Sequence, residues 1–189
     1  DVEQARDLRD NNPALRERMT EYVNRTLGSN EEEVDHALRS KLNGIVAATG
    51  LDDAKVTTGR SSAKSSPARR AFPRSGTWRQ LRDEADFVER EAAVSAEGSL
   101  DQMIGLVDRI MAEPWLKRVD RLQLDQKDNG GRYAATIRLT TLYIPGRSPD
   151  EGVEPAGYAS DRLTRFAALI SGSPFRVPPP QPPPKPAPK

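Results

Sequence analysis

"EGSLDQMIGLVDRIMAEPWLKRVDRLQLDQKDNGGRYAATIRLTTLYIP", Glu97 to Pro145, holds one helix and two paired strands, and its reading sets the fold of everything around it. Ser99 stands where an N-cap belongs. Behind it Leu100, Met103, Ile104, Val107, Ile110 and Met111 recur at the spacing of one helical face, and Pro114 ends the run. Leu122 and Leu124 then alternate with polar residues. "DNGG" supplies the positive φ angles of a hairpin turn, and Tyr133, Ala135, Ile137, Leu139 and Tyr143 share one face of the returning strand.

The same order of parts occurs upstream. Ser29 or Asn30 can cap a helix over 30–49, with Glu31, Glu32 and Glu33 at the positive end of its dipole, and Val34, Leu38, Leu42, Ile45 and Val46 form its apolar stripe. Gly50 is the expected stop. A short strand, "AKVTTG", follows, and after a long interval comes a second strand from Asp86 to Glu97. There Val88, Ala92, Val94 and Ala96 recur with near period 2, broken by Arg90. Two helix-strand-strand units predict an α+β fold: a ferredoxin-like αββαββ two-layer sandwich, or a circular permutation of it, because each helix has one stripe to bury and the sheet one apolar face to receive it.

Appendages flank this core over 29–145. In residues 1–28, Ala5, Leu8, Leu15, Met19 and Tyr22 fall at alternating spacings of three, four and seven on a charged background, which suits a coiled-coil-like helix and makes Leu8, Leu15, Met19 and Tyr22 candidate partner-binding residues. Asn12-Pro13 interrupts the pattern, so Asn12 is expected to cap a helix restarting at Pro13. Between the first two strands, 60–82 carries Arg60, Lys64, Arg69, Arg70, Arg74, Arg79 and Arg82 with no acidic residue, and without apolar periodicity it is expected to be a mobile loop. Over 146–173 a linker leads to a short helix through Leu163, Phe166, Ala167 and Ile170, with Ser160 or Asp161 as cap and Gly172 as stop. The tail 174–189, "PFRVPPPQPPPKPAPK", is expected to be disordered, extended polyproline II, a spacer or a ligand for an aromatic groove; Phe175 beside Arg176 is a candidate docking anchor.

Composition narrows the chemistry. The net charge is +1 over 189 residues, and Leu, Ile, Val and Phe make up about a fifth of the chain, which describes a small core with polar arms. With no cysteine there are neither disulfides nor thiolate ligands. The single histidine, His36, has no second imidazole to complete a ligand set and belongs on a solvated face. Glu89 and Glu91 share a face with polar neighbours, which describes an exposed sheet surface better than an acid–base pair, and Glu97 extends that line. "TTGRSSAKSS" lacks the spacing of a phosphate loop, and no Gly-x-Ser-x-Gly elbow occurs. The expectation is therefore no cofactor, no metal and no catalysis. No apolar run approaches the roughly 20 residues of a membrane helix, and the chain begins at Asp1 without a signal pattern, so it is expected to be a soluble piece of something longer.

"LRSKLNGIVAATGL" (38–51), "VEREAAVSAEGSLDQMIGLVDRIMAEPWLKRVDRLQLD" (88–125) and "YAATIRLTTLYIP" (133–145), behind a charged heptad-like helix, resemble the periplasmic region of the PilO and GspM group, assembly-platform components of type IV pili and type II secretion systems. The resemblance covers about residues 1–145 and is most specific where "EGS" leads straight into a helix and "PWLKRVDRLQL" follows. It implies a bacterial inner-membrane protein whose membrane helix lies before Asp1, with this part in the periplasm. Its implied role is a non-enzymatic scaffold, joined to itself or to a PilN- or GspL-like partner. The basic loop, the helix after Pro145 and the proline tail depart from that pattern. The alternative is a nucleic-acid-binding α+β module using the loop 60–82, although Tyr133 and Tyr143, the strand aromatics of the hairpin, fall on its apolar side, away from a stacking surface.

Overall fold

A computed structural model describes residues 2–65, 85–127, 131–150 and 164–172, with side chains from residue 12 onward. Helix α1 (Val2–Asn24) leads into α2 (Glu31–Thr49), β1 (Asp52–Ser65) and β2 (Ala85–Gly98). Next come α3 (Leu100–Ala112), β3 (Lys117–Gln126), β4 (Tyr133–Tyr143) and the short α4 (Ala167–Gly172). The four strands form one antiparallel sheet in the order β1-β2-β4-β3, so the second strand of each unit lies at the centre and the first at an edge. Helices α2 and α3 cover one face, giving the expected two-layer α+β sandwich.

Local chemistry sets the corners. Asn30 caps α2, its side chain accepting from the Glu33 N–H at 3.0 Å, and Gly50 closes the helix in the left-handed region at φ 61°. Gln102 in the first turn of α3 accepts from the Ser99 N–H at 2.9 Å and donates to the Gly50 carbonyl at 2.7 Å, tying the start of one helix to the end of the other. Gly98 sits in that junction: a Cβ there would meet the Leu51 side chain and Gln102 Oε1 at 2.7 Å.

The core follows from the stripes. Val34, Leu38, Leu42, Ile45 and Val46 of α2 are all buried, and they pack on Val88, Ala92 and Val94 of β2 and Ile137, Leu139 and Tyr143 of β4. A smaller cluster joins Leu100 and Met103 to Tyr133 and Ala135. Burial of each large side chain contributes about 1.5–3 kcal/mol. Arg90, which interrupts the apolar run of β2, also faces α2, where it pairs with Glu31 and Asp35 at 2.5 Å.

Four expectations are corrected. Helix α1 runs unbroken through Pro13, so Asn12 is no cap. The missing N–H costs one backbone bond, and since the helix is exposed from residue 12 to 22, water can serve the carbonyl left over. Secondly, the strand read as "AKVTTG" is 14 residues long, and residues 60–65 of the expected loop belong to it. Its side chains there are largely solvated and carry no apolar rhythm; what holds it is the ladder to β2, from Ser61↔Arg90 to Ser65↔Ala85. Thirdly, the buried face of α3 is Leu100, Met103, Gly105, Leu106 and Ile110, while Met111 is 57% exposed: the apolar arc is wider than the sheet can cover, and the layer takes the Leu106 side of it. Lastly, α4 is preceded by a single 3₁₀ turn at 164–166, contains Gly172 and buries no residue. The rest of the basic stretch, the tip of the "DNGG" turn, Ser160, Asp161, Leu163 and the proline tail with Phe175 and Arg176 lie outside the described residues.

Candidate partner-binding surfaces

The turn between α1 and α2 is clasped from two sides. The Leu116 N–H donates to the Arg25 carbonyl at 2.8 Å, and Arg25 Nε donates to the Pro114 carbonyl at 3.0 Å. From beyond β4, the Gly146 N–H donates to the Ser29 carbonyl at 3.2 Å and the Asp150 N–H to Asn24 Oδ1 at 3.1 Å. Val23, Thr26 and Leu27 are buried beneath these bonds. Helix α1 is thus anchored at its C-terminal end.

Ahead of that anchor the helix is solvated, yet Leu15, Met19 and Tyr22 are 54%, 42% and 50% exposed. Met19 and Tyr22 reach the helix-free side of the sheet, where with Phe87, Leu116, Leu142 and Ile144 they line a mostly apolar groove of about 740 Å³. The structure therefore joins two predicted residues to four that the sequence reading missed. Phe87 and Leu142 alternate with core positions and belong to the outer face of β2 and β4; a large apolar residue on an otherwise polar outer face was the signal available. Leu8 lies in α1 among residues whose side chains are not described, and Leu15 is one turn further from the groove than Met19.

Beside the groove, Lys117 stands over the Trp115 ring at 4.8 Å and hydrogen-bonds to the Glu113 and Trp115 carbonyls. Burial pulls its pKa down to about 8, the Glu113 charge opposing and the Arg25 charge adding to the shift. Trp115 is itself 1% exposed and wedges the α3–β3 connection into the core.

A second apolar surface lies at the other edge. Half-buried Ile104 and Val107 and exposed Met111 of α3, at the margin of the predicted stripe, line it together with Leu122 and Leu124 of edge strand β3. Phe166 and Leu169 from the C-terminal segment close over them, leaving about 330 Å³.

His36 is exposed on α2. Glu89 and Glu91 lie on the outer sheet face, Glu89 paired with Lys64 at 2.9 Å. Among the described residues no group of three or more His, Cys, Asp or Glu is placed to hold a metal ion. Tyr133 and Tyr143 are 4% and 6% exposed on the helix-covered side, so neither offers a ring to a base. No described helix is long and apolar enough to cross a membrane.

No family model and no curated protein sequence matches the chain. Among solved structures it is similar to a crystal structure from Akkermansia muciniphila, at 13% identity and a TM-score of 0.42, covering 63% of this chain and 54% of that one. A structure from the same organism described as lacking its transmembrane region gives 11% identity and a TM-score of 0.37, over 59% and 58% of the two chains. A core domain, also from that organism, gives 11% and 0.38, over 62% and 63%. This chain thus spans between 54% and 63% of the length of those structures, and its functional reading rests on its own residues.

Proposed function

We propose that this chain is a non-enzymatic scaffold module of a PilO- or GspM-like assembly platform, serving a type IV pilus or type II secretion system at the periplasmic side of a bacterial inner membrane. It joins a second copy of itself, or a PilN- or GspL-like partner of similar fold, through α1. The observation that carries this reading is the half-exposed line Leu15, Met19 and Tyr22 on a solvated helix, running into the groove lined by Phe87 and Leu142. Apolar side chains at heptad spacing on an anchored helix are what a second helix covers.

The test is the oligomeric mass by light scattering of the native chain and of the triple variant Leu8→Glu, Leu15→Glu, Met19→Glu. Association in the native chain and a monomer in the variant is the expected result. A native chain that stays monomeric at several hundred micromolar, and takes up no similarly folded partner, refutes the reading.

A further inference from the structure

Both edge strands are bulged beside the same part of the open sheet face. In β1 the pairing steps from Thr58↔Ala92 to Ser61↔Arg90, which sets Gly59 and Arg60 against Glu91 alone. In β3 it steps from Val119↔Leu139 to Arg121↔Arg138, leaving Asp120 as the extra residue. Alternation is broken there, and Asp120 and Arg121 both line a polar trough of about 510 Å³ that crosses the open face. Gly59 belongs to its wall, where a Cβ would come within 3.1 Å of the Glu91 Cβ.

The charges in the trough are unequal in their partners. Arg118 holds Asp120 at 2.6 Å and lies 3.9 Å from Glu89, and Asp120 accepts from the Thr140 hydroxyl at 2.5 Å. Arg121 and Arg138 stand directly opposite each other in register, both exposed. Among the described residues neither side chain makes an ion pair or a hydrogen bond. Like charges directly opposed across two strands destabilise a sheet, so the fold tolerates a local repulsion that a bound anion would cancel. Two guanidinium forks side by side suit a carboxylate, which each can grip through paired N–H donors.

We propose that this trough binds a carboxylate-bearing peptide segment of a partner protein, with Arg121 and Arg138 as the carboxylate grip. Glu89, Glu91 and Asp120 line the same trough and repel a continuous polyanion, whereas a peptide of mixed charge satisfies both sets. The site is separate from the α1 stripe, and it stands or falls without it.

The arginine Nε–Hε signals of the full chain, followed by NMR, test this. The probes are an acetylated, amidated Glu-Lys-Glu-Lys peptide and, in parallel, tetralysine, inorganic phosphate and a twelve-residue oligothymidylate. The mixed-charge peptide is expected to move the Arg121 and Arg138 signals together, and Arg138→Gln or Arg121→Gln to weaken its binding at least about tenfold. Relief of the repulsion should also raise the melting temperature of Arg138→Gln by about 1–2 °C. Absence of any shift at millimolar Glu-Lys-Glu-Lys peptide, tighter binding of oligothymidylate or phosphate at these two residues, or a lowered melting temperature in both variants overturns the proposal.

Discussion

Replacing Arg90 separates the two ways a charged residue can serve a core. Its side chain is 11% exposed and pairs with Glu31, 57% exposed, and with Asp35, 23% exposed. Arg90→Ala removes the buried part of its three-methylene stem, worth about 2 kcal/mol at about 0.8 kcal/mol per CH₂. It also removes two ion pairs, and a bond to the Ser61 hydroxyl at 3.1 Å that water can replace. The Glu31 bond is exposed on one side and returns about 0.2–1 kcal/mol, because water replaces it. Asp35 loses more but keeps Arg39 at 2.7 Å, which limits the cost to about 1 kcal/mol, below the 3–5 kcal/mol of a fully uncompensated buried charge. The sum is about 3–4 kcal/mol for Arg90→Ala. Arg90→Met keeps an apolar stem of similar reach and should lose only about 1–2 kcal/mol. Urea unfolding followed by far-UV circular dichroism reads both as shifts in midpoint at constant slope. Equal losses in the two variants would refute the packing part of this reasoning, and a loss above about 4 kcal/mol in Arg90→Met would refute the electrostatic part.

Lys117 gives a dependence on pH. Its folded pKa of about 8 lies below the 10.5 of the free side chain, so between these values the unfolded chain binds more protons and stability rises with pH. Urea midpoints between pH 8 and 9.5, below the range in which the buried Tyr143 hydroxyl adds its own opposite trend, should climb in the native chain and flatten in Lys117→Met; parallel curves would dismiss the burial of this amine. Leu106→Ala, at a site 1% exposed, should cost about 2–5 kcal/mol, whereas Met111→Ala, 57% exposed, should cost less than about 0.5 kcal/mol. Calorimetry that ranks them the other way would mean α3 faces the sheet through its other side.

Helix-strand-strand order, the α2 stripe and the β3–β4 hairpin were legible because each buries one face, and burial imposes a period of 3.6 or 2 on the residue types. Legibility ended where burial did. Residues 60–65 pair with β2 through the backbone ladder and two polar side-chain contacts, Lys64–Glu89 and Ser61–Arg90, and solvated Ser, Lys and Arg side chains leave no apolar rhythm to read. In α3 the sequence offers apolar residues over an arc wide enough for two faces, and only the position of the sheet selects Leu106 over Met111. Arg90 was visible as a break in period; that the break is filled by Glu31 and Asp35 depends on α2 crossing β2 at that level. Of the candidate surface, Leu15, Met19 and Tyr22 followed from heptad spacing, whereas Phe87 and Leu142 became neighbours of Tyr22 through the clasp at Arg25 and Ser29, which no local pattern encodes. The Arg121–Arg138 opposition depends on a bulge that shifts register by one residue.

Energy also decides how much of the surface a scaffold contact must use. Leu15, Met19 and Tyr22 are each about half exposed, so covering them gains about 1 kcal/mol apiece, and about 6 kcal/mol for a symmetric pair of chains. Association itself costs at least about 4 kcal/mol and often far more. Three side chains per helix therefore leave little or no net affinity. A stable contact must add area, and the groove at the C-terminal end of α1 supplies it, because a partner lying along Met19 and Tyr22 meets Phe87 and Leu142 next. The clasp at the α1–α2 turn thus does more than close a loop: by holding the end of α1 beside the sheet, it joins Met19 and Tyr22 to Phe87 and Leu142 in one apolar surface, which the proposed scaffold role requires.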